Sequence, residues 1–101
     1  MRLAISGVAL AALLPAGATA ETHTVRIEGM QFVPATLTVR KGDRIVWHNR
    51  DMVPHTATAA GVFDTGTIAA GHSVSRQMAR SGSISYVCTL HPSMKGEVVV
   101  Q

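Results

Sequence analysis

The chain has 101 residues, 47% of them hydrophobic and only 15% charged, with a formal net charge of +3 at pH 7. That length allows one small domain with a modest core. The nine basic residues are scattered, and Arg40 and Lys41 are their one adjacent pair, so the sequence carries no nucleic-acid footprint.

The first twenty residues, MRLAISGVALAALLPAGATA, have the layout of a secretory leader. Arg2 is followed by an apolar run from Leu3 to Leu14, and small residues close the segment at Ala18-Thr19-Ala20. The run falls short of the roughly twenty residues that cross a bilayer. No cysteine stands near the cleavage point to carry a lipid. The expectation is a cleaved leader over residues 1–20 and one domain over 21–101, without a membrane segment and exported to the periplasm.

From Thr22 onward the hydrophobic pattern has period two, interrupted by turn residues. Val25 and Ile27 alternate with Arg26 and Glu28 before Gly29, and Leu37 and Val39 alternate with Thr36, Thr38 and Arg40 before Lys41-Gly42-Asp43. Ile45-Val46-Trp47 ends at Asn49-Arg50-Asp51. Thr56 to Ala60, Val74 to Ala79, Ile84 to Cys88 and Glu97 to Val100 complete the candidates. Seven to eight short strands rich in Val, Ile and Thr, with no sustained helical period, predict an all-β sandwich or barrel. Trp47, Phe32, Phe63 and Tyr86 are the aromatic residues available to an otherwise aliphatic core.

An exported chain with a single cysteine cannot staple itself, and a lone thiol in an oxidising compartment needs burial or a metal. That cysteine lies in YVCTLHPSMKG, where Cys88, His91 and Met94 follow one another at intervals of three. A thiolate, an imidazole and a thioether converge on one point if the loop curls around it. This soft set suits copper far better than magnesium or calcium. Zinc is disfavoured by the thioether and by the lack of a second cysteine.

A copper site of this kind takes two histidines and a cysteine in a trigonal plane, with a weak axial methionine. Four histidines compete for the remaining place. His55 follows Pro54 at a turn-to-strand junction that would aim it into one end of a sandwich. His48 lies inside a strand beside Trp47 and reads as a surface or partly packed residue. His72 follows Gly71 in a solvated turn. His23 is third in a chain that starts at Glu21, a position able to wrap a second Cu(II) through backbone nitrogens, although it more simply begins the first strand.

The stretches GMQFVPATLTVRKGDRIVWHNRDMVPHTATAAGVFDTG and GSISYVCTLHPSMKGEVVVQ resemble the cupredoxins, the small blue copper proteins. The short Cys-x2-His-x2-Met loop is similar to that of the amicyanins, and less so to the longer loops of plastocyanins and pseudoazurins. The resemblance covers residues 21–101 and implies a Greek-key β-sandwich. It implies one copper ion cycling between Cu(I) and Cu(II), with His55, Cys88, His91 and Met94 as ligands. The implied task is one-electron transfer between exported proteins, not enzymatic catalysis. Brief docking would use an apolar patch around His91, here Met52, Val53, Pro54, Leu90 and Pro92, with Arg50 and Lys95 at its rim. The partners so implied are a dehydrogenase and a c-type cytochrome, met by a monomer. A periplasmic copper chaperone or storage protein is the alternative function. A copper enzyme would need a second copper site, for which residues 21–101 leave no room.

Two positions depart from the resembling proteins. Thr56 stands where they carry an asparagine that ties the two ligand loops together, and its shorter hydroxyl is expected to make a weaker tie. Leu90 stands where they carry proline. Leucine keeps a backbone N–H, which is expected to donate a second bond to the Cys88 sulfur.

Overall fold

The computed structural model describes residues 19–101, and residues 1–18 of the expected leader lie outside the described residues. Nine strands run through the described chain: β1 Thr22–Ile27, β2 Phe32–Val33, β3 Thr36–Val39, β4 Arg44–Asn49, β5 Thr58–Ala59, β6 Phe63–Asp64, β7 Ser73–Gln77, β8 Gly82–Val87 and β9 Lys95–Val100. No helix occurs among the described residues. One sheet has the order β2-β1-β4-β7 and the other β3-β9-β8-β5-β6. The pairs β1·β4 and β3·β9 are parallel and the rest antiparallel, so chain neighbours are repeatedly sent to opposite sheets. This is the expected Greek-key sandwich.

The additional strands are β2 and β6, which have two residues each and are too short to show an alternating pattern. The candidate over Thr56 to Ala60 contracts to β5 because its first amides bond to side chains. Thr56 N–H points at the Cys88 sulfur, and Ala57 N–H donates to Thr65 Oγ1 at 2.9 Å. The candidate over Val74 to Ala79 ends at Gln77, since Met78 N–H donates to the Asp43 carbonyl instead.

Side chains alternate across a strand, so one inward residue fixes the parity of its neighbours. Val25 and Ile27 face inward from β1, Ile45 and Trp47 from β4, Ile84 and Tyr86 from β8, and Val98 and Val100 from β9. Four aromatic rings meet at the centre. The Phe32–Tyr86, Trp47–Phe63 and Trp47–Tyr86 centroids lie 4.7, 5.2 and 5.7 Å apart. Burial pushes the Tyr86 hydroxyl up to about 12. Gly96 pairs with Tyr86 across β8 and β9, and a Cβ at this glycine would clash with the hydroxyl end of the tyrosine ring. A residue without a side chain is therefore required where the tyrosine crosses the neighbouring strand.

Candidate metal centre

The period-two registers that build the core also build the site. Extended beyond their strands, the inward series Ile84, Tyr86 reaches Cys88, and the series Ala59, Ala57 reaches His55. The series Val100, Val98, Gly96 reaches Met94. His55 and Cys88 have no exposed surface and Met94 is 3% exposed. Three buried side chains thus converge at one end of the sandwich, each one step beyond the inward series of its sheet. His91 comes from the loop between β8 and β9 and is half-buried.

His55 Nδ1 lies 3.7 Å from Cys88 Sγ, and His91 Nδ1 lies 3.8 Å from the same sulfur. One donor atom from each of the three residues falls within 4.8 Å of the others. The two imidazole rings stand 5.0 Å apart at 63°. A metal with bonds of about 2.3 Å to thiolate and about 2.0 Å to imidazole, meeting at about 120°, separates sulfur from nitrogen by about 3.7 Å. The observed spacings fit one ion in a trigonal plane. A thiolate with two imidazoles, and a buried thioether nearby, is a donor set suited to copper.

Both donor loops are held by hydrogen bonds that are already in place. The His55 amide and carbonyl are pinned to Ile68 at 3.2 and 2.7 Å. Cys88 N–H donates to the Met94 carbonyl and Met94 N–H to the His91 carbonyl, closing the second loop on itself. The sulfur accepts Thr56 N–H at 3.3 Å. Thr56 Oγ1 accepts Thr89 N–H at 2.9 Å and lies 3.1 Å from the Thr89 hydroxyl and 3.0 Å from that of Thr58. The tie between the two loops therefore exists and rests on the threonine oxygen.

The expected second bond to the sulfur does not form. No hydrogen bond from Leu90 N–H reaches Cys88 among the described residues. The loop satisfies its backbone through Cys88, His91 and Met94, and Leu90 stands 49% exposed on its outer edge. The neighbours Met52, Val53, Pro54 and Pro92 are also exposed, and Met52 is 92% open to solvent. Arg50 and Lys95 are exposed as well.

Two residues that position His55 were read in the sequence only as turn punctuation. Asn49 is fully buried at the end of β4; it donates to the carbonyls of Val53 and Ile68 and accepts Asp51 N–H. Asp51 Oδ2 lies 2.9 Å from His55 Nε2, the ring nitrogen facing away from Cys88. The Asp51 carboxylate also accepts the amides of Gly29 and Met30 at 2.7 and 3.0 Å. Both have positive φ, 65° and 62°, as a two-residue turn between β1 and β2 requires. Burial opposes the charge on Asp51, but these amides and the His55 ring outweigh it and hold the carboxyl below its usual range. The signal available in the sequence was Asn-x-Asp four residues ahead of a histidine.

The remaining histidines lie elsewhere. His48 Nδ1 is 2.7 Å from Ser73 Oγ, and His72 is exposed in a turn. His23 sits in β1, where Thr22 and His23 pair with Arg44 and Ile45 of β4, and its Nε2 lies 2.9 Å from Asp43 Oδ2. Wrapping a metal with those backbone nitrogens would compete with this pairing at the start of the sheet.

A family model for the cupredoxin-like domain matches residues 3–100. The chain belongs to the cupredoxin-like family. Amicyanin-alpha of Methylorubrum extorquens is 30% identical over 93 residues, covering 86% of this chain and 75% of that protein. Amicyanin of Paracoccus denitrificans is 34% identical over 84 residues, 76% of this chain and 63% of the relative's length. Among solved structures, an amicyanin variant in its Cu(I) form superposes with a TM-score of 0.74 at 30% identity, covering 85% of this chain and 88% of that one. This cupredoxin is thus of the amicyanin type in both sequence and fold.

Proposed function

We propose that this cupredoxin is an exported one-electron carrier that holds one copper ion through His55, Cys88, His91 and Met94. The observation that carries the reading is the spacing of two imidazole nitrogens around one buried cysteine sulfur, with Met94 buried on the adjoining inward register. Copper bound there would supply a one-electron Cu(I)/Cu(II) couple. The rest is the work of the chain. Asp51 fixes the tautomer and tilt of the His55 ring, and Thr56 N–H helps neutralise charge on the sulfur. The Ile68 bridge and the Thr56–Thr89 tie keep the donors in place without the metal, so a change of oxidation state demands little movement.

His91 is the half-buried member of the set, and Met52, Val53, Pro54, Leu90 and Pro92 are exposed in the segments around it. Such a surface suits brief docking with redox proteins, for which a dehydrogenase donor and a c-type cytochrome acceptor are the proposed classes. The relatives support the reading, because amicyanins have been solved both with Cu(I) and in an oxidised state. The test is metal stoichiometry followed by voltammetry. One copper per chain with a reversible one-electron wave is the expected result. A protein that takes only Cu(I) and yields it readily to a chelator, without a reversible wave, would be a chaperone instead.

A further inference from the structure

Outside the metal centre, the charged group with the most specific surroundings is Asp43, at the opposite end of β4 from Asn49. Its side chain is 5% exposed, yet no lysine or arginine pairs with it among the described residues. Asp43 Oδ1 accepts the Glu21 backbone N–H at 2.9 Å. Oδ2 accepts the Arg40 N–H at 3.0 Å and lies 2.9 Å from His23 Nε2. The carboxyl is held down to about 2 by the amides of Glu21 and Arg40 and then by His23. Glu21 is also locked from its other side, since its carbonyl accepts Arg44 N–H at 2.8 Å. Thr19 and Ala20, before it, are exposed.

One of the two nitrogens nearest this buried carboxylate, both at 2.9 Å, therefore belongs to the residue that follows the expected leader. We propose that the fold is built to close on its processed N-terminus, with the Glu21 α-ammonium as the cationic partner of Asp43. A leader-removing protease would hydrolyse the Ala20–Glu21 peptide bond. Water supplies the carboxylate oxygen left on Ala20 and the protons that turn the Glu21 nitrogen into an ammonium. Before cleavage that nitrogen offers one neutral N–H; afterwards it carries a full charge and three donors. Charge-assisted bonds are stronger than neutral ones, and a carboxylate already desolvated by the fold is costly to leave without a charged partner. Processing would convert an ordinary amide contact into an ion pair that seals the first strand against β4.

The cleavage step rests on the export reading above, whereas the ion pair can be tested without it. Three copper-loaded forms are compared at pH 6: a chain starting at Glu21 with a free amine, the same chain N-acetylated, and a chain extended by Thr19-Ala20. The free-amine form should melt higher than both others by about 4–8 °C, the shift a single such interaction gives in a domain of this size. Asp43→Asn should abolish the gap. If that variant does not fold, amine labelling of the wild type decides: the Glu21 amine should react several-fold more slowly in the folded protein than in the peptide Glu-Thr-His. Equal melting temperatures with an unprotected amine would overturn the ion pair and leave the copper reading untouched. The mass of the exported protein should correspond to a first residue of Glu21; any other start would overturn the processing step.

Discussion

Asp51 Oδ2 stands 2.9 Å from His55 Nε2 while its carboxylate also holds the two amides at the tip of the β1–β2 turn. One side chain thus joins a hairpin of the first sheet to a donor of the metal centre. The histidine orientation depends on Gly29 and Met30, which lie 22 and 21 positions before Asp51, and on a loop whose shape Asn49 sets from within.

Asp51→Asn tests this directly. Asparagine retains one acceptor oxygen but lacks the charge and the second acceptor, so it cannot hold His55, Gly29 and Met30 together. Copper affinity, measured by competition with a chelator, should fall about 10–100-fold with the fold preserved. An unchanged affinity would show that the packing around His55 suffices.

Thr56→Val keeps the shape and the N–H to the sulfur but deletes the hydroxyl, leaving Thr89 N–H without its partner. Urea unfolding should show a loss of about 1–2 kcal/mol. Thr56→Asn, which again offers an acceptor oxygen, should recover part of it.

Gly96→Ala drives a methyl group into the hydroxyl end of the Tyr86 ring. Either the ring or β9 must shift, and overpacking of this kind costs about 1–3 kcal/mol or more. A lowered thermal midpoint is expected. Because Gly96 precedes the inward pair Val98 and Val100 and follows Met94, a shifted copper spectrum should accompany it.

The two strongly shifted groups predict opposite pH limbs. Asp43 has its carboxyl depressed from 3.8 to about 2 in the folded state. The unfolded chain therefore binds more protons across that interval, and stability falls as pH drops from about 4 toward 2. Asp43→Asn should flatten that limb. Tyr86 is raised from 10 to about 12, so the unfolded chain loses its proton first and stability falls between those values as pH rises. Tyr86→Phe should flatten the alkaline limb in denaturant titrations.

The parts of this protein that follow from alternation were legible in the sequence. Cys88 and Met94 carry the inward parity of Tyr86 and Val98, and the spacing of Cys88, His91 and Met94 identified their loop. The place of His55 after Pro54, at a turn-to-strand junction, points to it before the resemblance does, and in the structure it follows the buried series of Ala59 and Ala57. Contacts between distant segments left no local pattern. Nothing near Asp51 points to Gly29 and Met30, and nothing near Asp43 points to Glu21. The bond expected from Leu90 is missing for a related reason: a backbone N–H is available at that position, but the loop geometry does not use it.

If His55, Cys88 and His91 hold copper in a trigonal plane, the Cys88 sulfur must be bonded to the metal. Adding Cu(II) to the purified protein and recording visible and electron paramagnetic resonance spectra tests it most directly. An intense blue charge-transfer band with a narrow copper hyperfine splitting is expected, both lost in Cys88→Ser. A colourless wild-type protein, or a band that survives in Cys88→Ser, would contradict it.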